Sequence, residues 1–183
     1  KGKTIINKSV IGLLEADGRW IGDGAVSSTE KSSHKGSVDV VVGKNDTLAD
    51  NYNQLTLVYD GGDYRLTLRA YDEGVAYQWT LNYPGELTVA NELFEADFGN
   101  EPVKVHFPQC ETRTWTEWDL KHQPHEINQA YRNFEREYIR YESIDAIPDS
   151  AISTSPALFT LPGGKVRVAV TEANVYDYPG LYF

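Results

Sequence analysis

The 183 residues suit one domain with a real core and are few for two. A net charge of −10 with no basic run excludes a nucleic-acid binder, which needs clustered Lys and Arg, and disfavours anionic membranes on the same ground. No apolar run approaches the roughly 20 residues that cross a bilayer, and Cys110, the lone cysteine, leaves no internal disulfide and does not decide the compartment.

The chain opens abruptly. Thr4 to Ile6 and Val10 to Leu14 read as strand pieces, KGKTIINKSV lacks the apolar core of a signal peptide, and Met is absent, initiator included. The sequence therefore reads as a processed or excised piece, with something before it. Gly18 to Gly36, rich in Gly, Ser and charge, reads as loop, Ser37 to Val42 as a β-branched strand, and Lys44 to Asn51 as a polar turn.

Tyr52 to Leu81 is the most regular stretch. Leu55, Leu57 and Tyr59 share one side of a first strand, Tyr64, Leu66, Leu68 and Ala70 one side of a second, and Val75, Tyr77, Trp79 and Leu81 one side of a third. Gln54, Thr56, Arg65, Thr67, Arg69, Gln78 and Thr80 take the other, wetter face. Asp60-Gly61-Gly62-Asp63 and Asp72-Glu73-Gly74 supply glycines that tolerate positive φ, so the stretch predicts an antiparallel meander.

Tyr83 to Glu86 is a turn, Leu87 to Phe94 a strand, and Val103 to Phe107 another with Val103, Val105 and Phe107 on one side. Gln109 to Gln129 loses the pattern and reads as a long functional or mobile loop. Tyr131, Phe134 and Tyr138 fit a short helix over Asn128 to Tyr141. Ile147 to Pro156 is linker-like, Leu158 to Leu161 a short strand, and Pro162-Gly163-Gly164 a turn into Lys165 to Thr171, where valines alternate. Short strands with turns between them and no βαβ spacing predict an all-β antiparallel sandwich, taken as a single domain over residues 1–183.

Several constellations could carry chemistry. Trp115 and Trp118 could stack on sugar rings, whose axial C–H faces are apolar, or simply pack in a core. Glu172, where a valine-rich strand meets a Tyr-rich turn, could face a substrate or another domain, or accept backbone hydrogen bonds locally. His122, His125 and Glu126 form an HxxHE cluster, but a zincin needs His at i and i+4 on a helix and these stand at i and i+3 beside Pro124. No G-x-S-x-G elbow occurs, and Asp72 and Glu73, as neighbours, point apart and read as turn residues rather than a glycosidase pair.

Three motifs then stand out in order: Asn51-Tyr52-Asn53-Gln54-Leu55, Arg69-Ala70-Tyr71-Asp72-Glu73-Gly74-Val75-Ala76-Tyr77, and Thr171-Glu172-Ala173-Asn174-Val175-Tyr176-Asp177-Tyr178-Pro179-Gly180. Together they resemble the N-terminal domain of glycoside hydrolase family 97. The resemblance implies a β-super-sandwich, truncated here at both ends, from an exported, periplasmic bacterial α-glucosidase or α-galactosidase. It implies further partners absent from this chain: a (β/α)8 barrel that holds the catalytic carboxylates, a C-terminal β-domain, and an oligosaccharide substrate.

The resemblance also implies calcium, shared with the barrel, with one ligand from this domain at Glu135; Glu137 and Glu126 are rivals for that position. One carboxylate cannot satisfy an ion that takes six to eight oxygens, so a free fragment should be empty and inactive. The leading reading is a non-catalytic domain that packs on the barrel and completes its calcium shell. A free-standing carbohydrate-binding or lectin-like sandwich, motivated by Trp115, Trp118 and 12 tyrosines, is the alternative, and a plain structural sandwich a third.

Overall fold

The structure, a computed structural model, describes residues 3–82, 86–99, 102–108, 138–149, 151–173, 175–176 and 180–183. Among them the strands are β1 (Ile11–Glu15), β2 (Trp20–Ile21), β3 (Val26–His34), β4 (Ser37–Asp39), β5 (Thr47–Ala49), β6 (Tyr52–Tyr59), β7 (Tyr64–Ala70), β8 (Val75–Leu81), β9 (Val89–Phe94), β10 (Lys104–Phe107), β11 (Ile139–Tyr141), β12 (Ala157–Thr160) and β13 (Arg167–Val170). Every pairing between them is antiparallel, and the described residues contain no α-helix, so the all-β antiparallel expectation holds. Contacts divide the chain into two compact units, one of Val10–Glu95 and one of Lys1–Ser9 with Ala96–Phe183.

The first unit is a two-layer sandwich. A sheet in the order β2-β1-β9 and a sheet in the order β3-β6-β7-β8 share one core, in which Leu13 and Ile21 of the first meet Tyr59, Tyr64 and Leu66 of the second. Leu57, Leu68, Tyr77, Trp79 and Leu81 join that core, as the alternation of the meander predicts. Cross-strand pairs carry it: Tyr59 lies opposite Tyr64, Leu57 opposite Leu66, and Leu66 opposite Trp79. Val75, placed on the same side by the pattern, is 80% exposed at the start of its strand. The turn at Asp60–Gly62 uses positive φ at Gly61 and Gly62, whereas Gly74 needs none, its turn being closed by the Tyr71 N–H donating to Gly74 O at 2.8 Å.

The residues around β3 correct the sequence reading. Gly18 to Gly36, expected as loop, contains β2 and the nine-residue β3, and the polar turn expected over Lys44 to Asn51 contains β5. The strand expected over Ser37 to Val42 stops at Asp39, and Thr4 to Ile6 forms none. The reason is physical: β3 pairs with β6 along one edge only and every residue in it is exposed, so no apolar alternation marks it.

The second unit holds a sheet in the order β11-β10-β12-β13. Val103, Val105 and Phe107 point to one side, as predicted, and form a buried cluster with Ala157 and Phe159, against which Phe98, Ile147, Val168, Val170 and Phe183 pack. Ser153 and Phe183 exchange backbone hydrogen bonds of 3.0 and 2.8 Å, which hold the last residue against this core, its ring 6.0 Å from that of Phe107. The helix expected over Asn128 to Tyr141 is corrected at its described end, since Ile139–Tyr141 is the strand β11, antiparallel to β10; the rest of it, and the loop expected over Gln109 to Gln129, lie outside the described residues.

Candidate functional site

Trp115, Trp118 and Glu135 lie outside the described residues, as do Glu126, Glu137, His122 and His125. Glu172 is described, and its surroundings are specific. Its Oε1 and Oε2 accept the Leu181 backbone N–H at 2.7 and 2.8 Å, and Oε1 also takes the Ser155 hydroxyl at 3.4 Å. The carboxylate thus closes the chain between residues 172 and 181. Gly180 makes this approach feasible, because it sits at φ +89° and a Cβ there would stand 3.2 Å from Glu172 Oε1. A charged acceptor suits an N–H that sheet pairing leaves unused.

The two other motifs meet at one end of the β3-β6-β7-β8 sheet. Gln54 lies opposite Arg69 in register, and Arg69 Nε donates to Gln54 Oε1 at 2.9 Å while its guanidinium carbon stands 4.2 Å from the Tyr52 ring centroid. Tyr52 packs on Tyr71 at 5.3 Å and on His34 at 5.2 Å, and His34 Nε2 lies 3.6 Å from an Asp50 carboxylate oxygen. His34 has no partner in the sequence, and only the pairing of β3 with β6 brings it to Tyr52 and Asp50.

Two further charged features lie elsewhere. Glu15 is buried, at 8% exposure, where the register of β1 shifts against β9, and its Oε1 has no hydrogen-bond partner. Glu142, by contrast, is exposed, and Lys104 Nζ and Arg140 Nη2 each approach its carboxylate to 2.6 Å. The Lys104 hydrogen bond, with Arg140 beside it, holds Glu142 below its ordinary carboxylate range. Among the described residues no three His, Cys, Asp or Glu side chains gather to hold a metal ion, and no helix is long and apolar enough to cross a membrane.

The family model described as Glycosyl-hydrolase 97 N-terminal matches residues 1–183. Among curated proteins, the chain is 24% identical over 182 residues to a retaining alpha-galactosidase of Bacteroides thetaiotaomicron, covering 99% of this chain and 26% of that protein. Among solved structures, it resembles a glycoside hydrolase family 97 enzyme in complex with acarbose from Pseudoalteromonas sp. strain K8, with a TM-score of 0.68 and 17% identity over 98% of this chain and 25% of that one. A beta-arabinopyranosidase gives a TM-score of 0.68 and 23% identity over 95% of this chain and 27% of that one. The chain spans about a quarter of the length of these relatives.

Proposed function

The chain belongs to the glycosyl-hydrolase 97 N-terminal family, and from that premise we propose that it is the non-catalytic N-terminal domain of a longer, exported glycoside hydrolase acting on α-glucosides or α-galactosides. In that role it packs on a catalytic barrel and lends Glu135 to a calcium ion beside the scissile sugar. The observation that carries the reading is the match of one family model to all 183 residues of a chain that spans only 26% of its curated relative. The same match supports treating both compact units as one family domain. Trp115 and Trp118 are proposed to stack on the sugar, with Glu172 acting through the turn it closes.

Calcium takes six to eight oxygens, more than one carboxylate can offer, so this domain is proposed to supply one ligand of a shared shell. In the full-length enzyme, Glu135→Gln is expected to weaken calcium affinity by about 10- to 100-fold or more, the loss typical of partners one step further from a metal, and to lower kcat. Titrating activity against free calcium after chelation reads this directly. A wild-type curve for Glu135→Gln with a shifted one for Glu137→Gln or Glu126→Gln moves the ligand to that neighbour. Wild-type curves for all three reject the shared-ion role.

A further inference from the structure

Strands β3 and β6 do not end where their sheet ends. His34 lies opposite Tyr52, and beyond a two-residue break on each side Ser37 lies opposite Ala49, Val38 opposite Leu48 and Asp39 opposite Thr47, with no residue gained or lost. The break is bridged by the Asp50 N–H donating to Gly36 O at 2.8 Å and the Gly36 N–H donating to Asn51 Oδ1 at 3.1 Å. Gly36 to Asp50 is therefore one arm, continuing the hairpin past the sheet. Its strands pair only with each other, and every residue in β4 and β5 is exposed.

The arm ends in apolar surface. Val40 N donates to Asp46 O at 2.8 Å to close the tip, and the tip presents Val41 at 98% and Val42 at 89% exposure, with Val38 and Leu48 about half exposed behind them. A lone two-stranded hairpin is marginal in water, and adjoining exposed valines add an unfavourable apolar surface. Yet the base of the arm is firmly braced. The His34, Tyr52 and Tyr71 rings meet in a row at tilted angles, Arg69 covers Tyr52, and a Cβ at Gly36 would come within 2.7 Å of His34 Nε2, so a larger residue at the bend would have to displace that ring. A braced stem with an uncovered apolar tip is shaped to meet a preformed recess.

Charge and tethering narrow the partner. Asp39, Lys44 and Asp46 flank the valines with two negative charges and one positive, which suits neither phosphate nor anionic lipid and fits an apolar protein recess with a polar rim. The chain spans 26% and 25% of the relatives it matches, so in a parent of that size a second folded body is tied to this one at an effective concentration on the order of millimolar, which a second molecule seldom reaches. We infer that the Gly36–Asp50 arm docks its Val41–Val42 tip into an apolar recess on the catalytic part of the same polypeptide. This rests on the domain reading above and adds the contact through which the domain engages its neighbour.

Photo-crosslinking of the full-length protein tests it, with Val42→benzoylphenylalanine, irradiation, and mass spectrometry of the monomer and dimer bands. The expected result is intramolecular links from position 42 to peptides beyond Phe183, reduced about tenfold or more when Val38→Asp and Val41→Asp are added. Links to a second copy, links confined to residues 1–183, or no link at all would each overturn the inference. The calcium titration keeps the two ideas apart. A shifted Glu135→Gln curve with misplaced links removes the arm contact and leaves the domain reading, whereas three wild-type curves with correct links remove the shared-ion role and leave the arm contact.

Discussion

The two compact units fill their cores with different chemistry. In Val10–Glu95 the core is aromatic and carries polar atoms inward: Tyr59 and Tyr64 stack at 4.9 Å, Trp79 lies 6.0 Å from each, and the Gly24 N–H donates to the Tyr64 hydroxyl at 3.0 Å. Burial pushes the Tyr59 hydroxyl above the ordinary tyrosine range. In the other unit the buried cluster of Val103, Val105, Phe107, Ala157 and Phe159 has no side-chain polar atom, and the charged groups sit at the rim, in Glu172 and in the Lys104–Glu142–Arg140 trio. A tyrosine core lets the same side chain fill space and hold a loop. An aliphatic and phenylalanine core cannot, so its loops are held by carboxylates at the edge.

The contrast is tested most strongly at Tyr64, which is 1% exposed. Tyr64→Ala should cost about 3–5 kcal/mol, as removal of a large buried aromatic does. Tyr64→Phe isolates the hydroxyl and should cost about 0.5–1.5 kcal/mol, with faster hydrogen exchange at Gly24. Urea unfolding of the two variants gives both numbers. Equal stability and unchanged exchange in Tyr64→Phe would mean that the oxygen holds nothing and that the two cores work alike.

The legible parts of the fold follow the same logic. Strands β7 and β8 show in the sequence because each has one drier face, and β10 shows through Val105 and Phe107 for the same reason; β6 shows by its alternation too, but it also buries Thr56, expected on the wetter face, and Val58 on its other side. Strand β3 does not, since Val26 to His34 has no buried residue to alternate with, and β5 shares that condition; β4, equally exposed, shows only as part of a β-branched run. Of the site, Glu172 stands out locally as a charge beside a turn, but its partner Leu181 is nine residues away and identified only by the fold. The His34–Tyr52–Tyr71 row is likewise a product of register, not of spacing. Trp115, Trp118 and Glu135 rest on residue chemistry and family resemblance.

At the rim of the second unit, Glu172→Ala should be the next largest effect. It strands the Leu181 N–H, which now points at both carboxylate oxygens, and loss of a hydrogen bond to a charged group costs about 1.5–3 kcal/mol. Glu172→Gln keeps one acceptor oxygen and should recover much of that loss. If Ala and Gln behave alike in thermal unfolding, the charge rather than the acceptor geometry is what closes the turn.

The smallest effect is expected at Glu142, whose side chain is 66% exposed. Its carboxyl lies below the ordinary value of 4.5 chiefly because Lys104 donates to it, with Arg140 adding attraction. A carboxylate depressed in the folded state stabilises above its unfolded value and loses that contribution as pH falls through the folded one, so Glu142 helps at neutral pH and ceases to help only in acid. An NMR titration of the Glu142 carboxyl carbon should place its midpoint below 4.5, and Lys104→Met should raise it more than Arg140→Met does. Because the trio is open to water, salt on the order of 1 M, where screening acts over about 3 Å, should move the wild-type midpoint upward and shrink the difference between wild type and Glu142→Gln. A midpoint indifferent to salt would mean that these charges are shielded like a buried pair, and the rim of this unit would then resemble the polar interior of the other.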